Sequence, residues 1–112
     1  MIYYMNLSPL PFSKIKDGKK DIEMRVLTNE RRKIKIGDTI IFTHKDTKEE
    51  LITEVISLKT FPSFKELYEY YPKERIGYEN NEIASYEDMY LYYSKEQIDE
   101  NGVIAIGIKL KK

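Results

Sequence analysis

The stretch GKKDIEMR, residues 18–25, is where charged and apolar residues of this sequence alternate most clearly. Through its second half and into Val26, apolar residues occupy every second position and charged residues occupy the positions between. A period of two is the pattern of a β-strand with one buried face. Gly18 follows a charged segment and suits the left-handed position that ends a helix. We therefore predict a strand over 22–26 that comes directly after a short helix.

Outward from this strand, the same signals predict the rest of the secondary structure. Short apolar runs bounded by Pro, Gly or charged residues predict strands, and apolar residues three or four apart predict helices. Ser63, three residues before Glu66, marks the start of a helix as a capping box. The predicted strands are 1–7, 22–26, 39–43, 51–58 and 103–108, and the predicted helices are 11–17, 64–71 and one that begins near Ser85. This order favours an α+β fold, a small β-barrel of five to six strands with two or three peripheral helices.

The composition limits the classes of protein that fit. A chain of 112 residues predicts a single domain over 1–112. Lys and Arg total 19, as do Asp and Glu, so the sequence carries no broad basic surface for duplex nucleic acid. With no cysteine and one histidine, a thiolate or His-rich metal site is excluded, and we expect no cofactor. No apolar run approaches a membrane span, so we expect a cytoplasmic protein without a membrane partner, either a monomer or a weak dimer.

Residues 18–25 resemble the GxKxxExR signature of the ASCH domain, with Gly18, Lys20, Glu23 and Arg25 at its fixed positions. Three further segments resemble the same family, namely IGDTIIF at 36–42, SFKEL at 63–67, and YY at 92–93 followed by NGVIAI at 101–106. The resemblance extends from about residue 7 to residue 110. It implies a PUA-like barrel of an RNA-associated superfamily, with RNA or a modified nucleoside or nucleotide as the partner.

The charged residues of this signature form the predicted site. Strand alternation places Glu23 and Arg25 opposite the apolar residues of 22–26, which we expect to fill the barrel core, and places Lys20 at the mouth of the strand. A carboxylate accepts hydrogen bonds from amino or imino groups, while Lys and Arg suit phosphate or carboxylate oxygens. These residues predict a polar cleft for a nucleotide-like ligand. Two alternatives stay open: a solvated strand face, and a structural ion pair between Glu23 and Arg25.

The resemblance also implies an alternative activity. One bacterial branch of the family hydrolyses N4-acetylcytidine to cytidine and acetate with a Lys, a Thr and a Glu. Lys20 occupies the position of that Lys and would act as the base, but Glu23 stands where the branch has Thr. The Glu of the branch aligns near Glu74, with Glu79 or Glu82 equally able to serve. The alternative is therefore a small amidohydrolase for an acylated nucleoside, with Lys20, Glu23 and Glu74 as catalytic candidates.

Two further groups of residues are candidates for ligand binding. Arg31 and Arg32 begin a basic cluster that extends to Lys35; this cluster either solubilises a loop or contacts phosphates beside the cleft. The tyrosines of the later segments should mostly pack on the barrel through their rings. One or two at the cleft would instead stack on a base, and Tyr78 and Tyr93 are the candidates.

Overall fold

The computed structural model describes residues 1–111 and shows a five-stranded mixed sheet that curls into a half-barrel. The strands are β1 (Ile2–Leu7), β2 (Ile22–Val26), β3 (Thr39–His44), β4 (Glu50–Phe61) and β5 (Val103–Leu110). Their order across the sheet is β1-β3-β4-β5-β2, with β1 parallel to β3 and every other pair antiparallel. The strands β1 and β2 are therefore the two edges. The predicted α+β class and the number of strands are confirmed.

Three α-helices accompany the sheet, which agrees with the predicted number of two or three: α1 (Pro9–Lys16), α2 (Phe64–Tyr70) and α3 (Lys95–Asn101). The expectation of one helix from Ser85 onward is wrong. Ser85 caps only a 3₁₀ turn, Tyr86–Leu91, and α3 begins separately after Ser94 with a capping box to Gln97. No helix within residues 1–111 has the length and the hydrophobicity needed to cross a membrane.

The sheet separates two hydrophobic clusters, because β5 contributes alternate residues to each. Ile104 and Ile106 join the cluster beneath α1, which includes Phe12 and Phe42. Val103 and Ala105 join the cluster beneath α2 and α3, which includes Phe64, Leu67 and Ile98. Every residue of β5 from 103 to 108 is buried, as its continuous apolar run predicts.

Strand β2 presents its charged residues to the side opposite to the one predicted. In the antiparallel register, Glu23 pairs with Ile106 and Arg25 pairs with Ile104. Directly opposed residues project from the same face of a sheet, so Glu23 and Arg25 share the α1 side, inside the half-barrel. The apolar residues of β2 join the cluster beneath α2 and α3 instead of filling the barrel core. The physical reason is that these helices supply the apolar cover for that face.

Candidate functional site

The turn between α1 and β2 holds Lys20 at the mouth of the half-barrel. Gly18 adopts a φ of +78°, the left-handed conformation that its position predicts. The N–H groups of Lys19 and Lys20 then donate to the carbonyl of Lys14 at 2.9 and 3.1 Å. The N–H groups of Asp21 and Ile22 donate to the carbonyl of Arg75 at 3.1 and 3.0 Å. The turn is thus fixed from both sides, and Lys20 is only 8% exposed.

Lys20, Glu23 and Arg25 form a charge triad with Glu23 at its centre, in which Lys20 and Glu23 are buried and Arg25 is half-buried. One carboxylate oxygen of Glu23 lies 3.0 Å from Lys20 Nζ, and the other lies 2.6 Å from Arg25 Nε. Arg25 Nη2 also donates to the carbonyl of Asn6 at 3.0 Å, which connects β2 to β1. Glu23 is 3% exposed, so the alternative of a solvated strand face is wrong. The predicted ion pair of Glu23 and Arg25 is confirmed, and Lys20 extends it to a triad with a net charge of one positive unit.

The electrostatics of the triad favour its ionised form. Burial would raise the pKa of Glu23, but the charges of Lys20 and Arg25, together with their hydrogen bonds, outweigh burial and hold that pKa below its ordinary value. Burial would lower the pKa of Arg25, yet Glu23 and then Tyr93 raise it above the ordinary value. Glu23 is therefore a carboxylate at neutral pH, and Arg25 is a cation.

We expect the lowered pKa of Glu23 to make the stability of the fold depend on pH. A carboxyl whose pKa is lower in the folded state than in the unfolded state stabilises the fold while it is ionised. This contribution is fully present above the ordinary pKa of 4.5 and is lost as the pH falls through the folded pKa. Urea unfolding from about pH 6 to pH 3 should show a steeper loss of unfolding free energy for the wild type than for Glu23→Gln. Equal slopes for the two proteins would contradict this expectation.

The triad lines a cleft of about 590 Å³. The cleft lies between the segment from the end of β1 into α1 on one side and residues 76–78, 88–89 and 91–93 on the other. Its apolar surface includes Met24, Ile76, Met89 and Leu91, and its polar surface includes the triad, Lys14, Tyr68 and Asp88. A mostly apolar cleft of this volume with a few converging polar groups is typical of a site for a small ligand.

Lys14 is a cleft residue that sequence reasoning missed. Its Nζ donates to the carbonyl of Gly77 and lies 3.5 Å from a carboxylate oxygen of Glu82. Gly77 has a φ of +111°, and a Cβ at this position would lie 3.2 Å from Lys20 Cδ. The glycine therefore lets the loop backbone pass close to both lysines. No local signal in the sequence indicates this, because the contact joins α1 to a loop 63 residues further along the chain.

Both predicted tyrosines lie at the cleft, in different roles. The Tyr78 hydroxyl donates to Asp88 at 2.7 Å and lies 3.0 Å from the Tyr68 hydroxyl. Burial, together with these two neighbours, raises the pKa of Tyr78 far above its ordinary value, so this hydroxyl stays protonated. Tyr93 packs on Phe64 with the ring centroids 6.1 Å apart and also lines the cleft. Tyr78 is thus part of a hydrogen-bonded network, and Tyr93 is the aromatic residue beside Arg25.

The remaining predicted residues do not all reach the cleft. Arg31 lines a second, smaller pocket that adjoins the cleft, whereas Arg32 is exposed and lines neither pocket. Glu74 is exposed and is not among the cleft residues, while Glu82 is. Of the three acidic residues considered for the loop after α2, only Glu82 therefore contributes to the cleft within residues 1–111. The catalytic role of Glu74 stays a prediction.

The geometry gives the hydrolase alternative less support than the binding alternative. Both oxygens of Glu23 face a cation, and its lowered pKa makes it a weak base. Glu23 also lacks the hydroxyl that the Thr of the hydrolase branch supplies at this position. Amidohydrolase activity therefore stays a prediction that rests on the resemblance alone.

The fold and the cleft together define a small α+β half-barrel domain with the charged residues Lys20, Glu23 and Arg25 on the wall of the cleft. In a comparison with known protein families, the ASCH domain model matches residues 5–112. The chain belongs to the ASCH domain family. A search of curated proteins found no match.

Solved structures of similar fold agree with this membership. The crystal structure of hypothetical protein PH0355 has a TM-score of 0.84 at 32% identity, and the alignment covers 99% of this chain and 100% of PH0355. For the solution structure of PF0455 from Pyrococcus furiosus the TM-score is 0.74 at 29% identity, and the alignment covers 100% of this chain and 99% of PF0455. For the crystal structure of a ZmASCH mutant from Zymomonas mobilis the TM-score is 0.69 at 14% identity, and the alignment covers 96% of this chain and 67% of ZmASCH. The last likeness concerns the fold alone.

Proposed function

We propose that this protein binds RNA or a nucleotide, with one nucleotide in the cleft and a phosphate at Lys20 and Arg25. The observation that carries this proposal is the largely buried triad on the cleft wall. Burial of charges is costly, and well-packed apolar residues are often at least as stable as a buried ion pair. Two largely buried cations held by one carboxylate beside an open cleft are therefore better explained by a ligand than by stability.

The chemistry of the cleft fits an anionic, aromatic ligand. Lys20 and Arg25 keep N–H donors beyond those that face Glu23 and Asn6. A guanidinium and an ammonium are the groups that bind phosphate oxygens most often, and Glu23 fixes the position of both. Tyr93 and the apolar wall offer a surface on which a base can stack.

The binding proposal predicts weak but salt-sensitive affinity for single-stranded RNA. One phosphate neutralised by Lys20 and Arg25 gives a slope of about −0.7 for log affinity against log salt concentration. Raising the salt from about 50 mM to 200 mM should therefore weaken binding roughly 2.5-fold. The measurement is fluorescence anisotropy with a labelled RNA of about 12 nucleotides of mixed sequence. Absence of binding, or binding that does not respond to salt, would contradict the proposal. The cytoplasmic location and the monomeric or weakly dimeric state stay predictions.

A further inference from the structure

A second pocket of about 280 Å³ adjoins the cleft. It lies between β1 and the 3₁₀ turn Arg31–Lys33, at the seam where the two edge strands of the half-barrel approach each other. Asn6 and Arg25 belong to the linings of both pockets. The two pockets are thus neighbours with a common boundary, and the function proposed above uses only the first.

The boundary between the two pockets is the side chain of Arg25. Its Nη2 donates to the carbonyl of Asn6 at 3.0 Å and so spans the seam from β2 to β1. Its Nε is occupied by Glu23, which fixes the plane of the guanidinium. A phosphate bound by the remaining N–H donors of Arg25 would therefore lie between the cleft and the second pocket.

Arg31 supplies a second cation to this pocket. It is half-buried, and its Nη1 donates to the carbonyl of Val26 at 2.7 Å. Among residues 1–111, no carboxylate lies within 4.0 Å of its guanidinium, although Glu30 lines the same pocket. A half-buried guanidinium without a counter-ion is placed to receive an anion.

The second pocket also offers an aromatic surface. Tyr3 and Tyr4 both line it, and Tyr4 is 68% exposed although it lies on a strand. Exposed aromatic rings beside cations are the usual means by which proteins hold the bases of a single strand. The pocket therefore combines groups for a phosphate with a group for a base.

We infer that the second pocket is a subsite for the nucleotide next to the one in the cleft, so that the ligand is a single strand of RNA and not a free nucleotide. The phosphodiester between the two nucleotides lies at Arg25 and Arg31, and the second base stacks on Tyr4. This inference rests on the proposed function, because the first nucleotide occupies the cleft. It adds the class of ligand, a strand of at least two nucleotides.

The test compares nucleoside 3′-monophosphates with the matching homodinucleotides ApA, CpC, GpG and UpU by NMR titration of the ¹⁵N-labelled protein. The 3′-phosphate of each mononucleotide is used as its methyl ester, so both members of a pair carry one phosphodiester with one negative charge and only the second nucleoside differs. At least one dinucleotide should bind about tenfold tighter than its mononucleotide, the usual gain from one stacked base. Arg31→Gln should weaken the binding of both ligands about tenfold, because both carry the phosphate that Arg31 contacts. Tyr4→Ala should remove the tenfold advantage of the dinucleotide and change mononucleotide binding less than about twofold, because Tyr4 contacts only the second base.

The control variant is Arg32→Gln, because Arg32 is adjacent in sequence and lines neither pocket. A dinucleotide with a neutral methylphosphonate linkage tests the same contact without any change to the protein, and it should also bind about tenfold more weakly. If mononucleotides shift the cleft resonances while dinucleotides bind no tighter and Arg31→Gln has no effect, the subsite is wrong and the proposed function stands. If neither ligand shifts the cleft resonances, the proposed function fails and the subsite fails with it.

Discussion

Glu23→Gln should lower the free energy of unfolding by about 3–5 kcal/mol, the usual cost of removing one partner from a buried ion pair. In the wild type, each carboxylate oxygen of Glu23 accepts from one cation. The Gln amide is neutral, and its NH2 group faces one of these two cations with a donor in place of an acceptor. The side chains of Lys20 and Arg25 are only 9% and 14% exposed, so water replaces the lost carboxylate only in part. Urea denaturation at neutral pH measures the difference.

The matched control for this variant is Glu82→Gln. Glu82 also pairs with a cleft lysine, Lys14, at 3.5 Å, but its side chain is 46% exposed. Exposed ion pairs contribute little, so we expect a loss of less than about 1 kcal/mol. If Glu23→Gln costs no more than Glu82→Gln, the triad does not act as a buried charge cluster.

Lys20→Met should abolish most RNA binding while the fold is retained. The Met side chain is about as long as the stem of the lysine, and Glu23 keeps Arg25 as its partner. The variant removes the ammonium donors from the cleft, and a charged hydrogen bond to phosphate contributes about tenfold or more in affinity. Anisotropy with the labelled RNA should show that loss, and circular dichroism should show an unchanged fold.

Lys19→Met controls for the general loss of one positive charge. Lys19 precedes Lys20, its side chain is 59% exposed, and it pairs with Glu79 at 3.7 Å outside the cleft. We expect its affinity for RNA to match the wild type within about twofold, since only distant screened charges change. Equal losses in the two variants would place binding on the general surface charge and not in the cleft.

The alternation in 22–26 predicted β2 itself but not the direction in which it faces. Period two requires only that the two sets of residues point to opposite sides. Which side becomes the concave one depends on where α2 and α3 pack, and that is decided by contacts far along the chain. The burial of Glu23 could not be predicted from the sequence for the same reason. A carboxylate is buried only where the fold places cations around it, and those positions depend on the tertiary structure.

Other features of the site divide in the same way between local and long-range causes. Gly18 was predictable because helix termination is local. The start of α3 carried a readable signal as well, since Ser94 stands three residues before Gln97 in a capping box. By contrast, the place of Lys14 in the cleft depends on Gly77, and no spacing within either segment encodes that contact. That Glu82 and not Glu74 lines the cleft depends likewise on the path of the loop after α2.

The most direct test of the central claim, that the Lys20–Glu23–Arg25 triad forms the phosphate-binding wall of a ligand cleft, is a crystal structure with a single-stranded RNA of about six nucleotides. The account predicts a base within the cleft and a phosphate oxygen within hydrogen-bonding distance of Lys20 Nζ and the Arg25 guanidinium, with the ion pairs of Glu23 preserved. RNA bound along the exposed basic cluster from Arg32 to Lys35, with the cleft unoccupied, would contradict it.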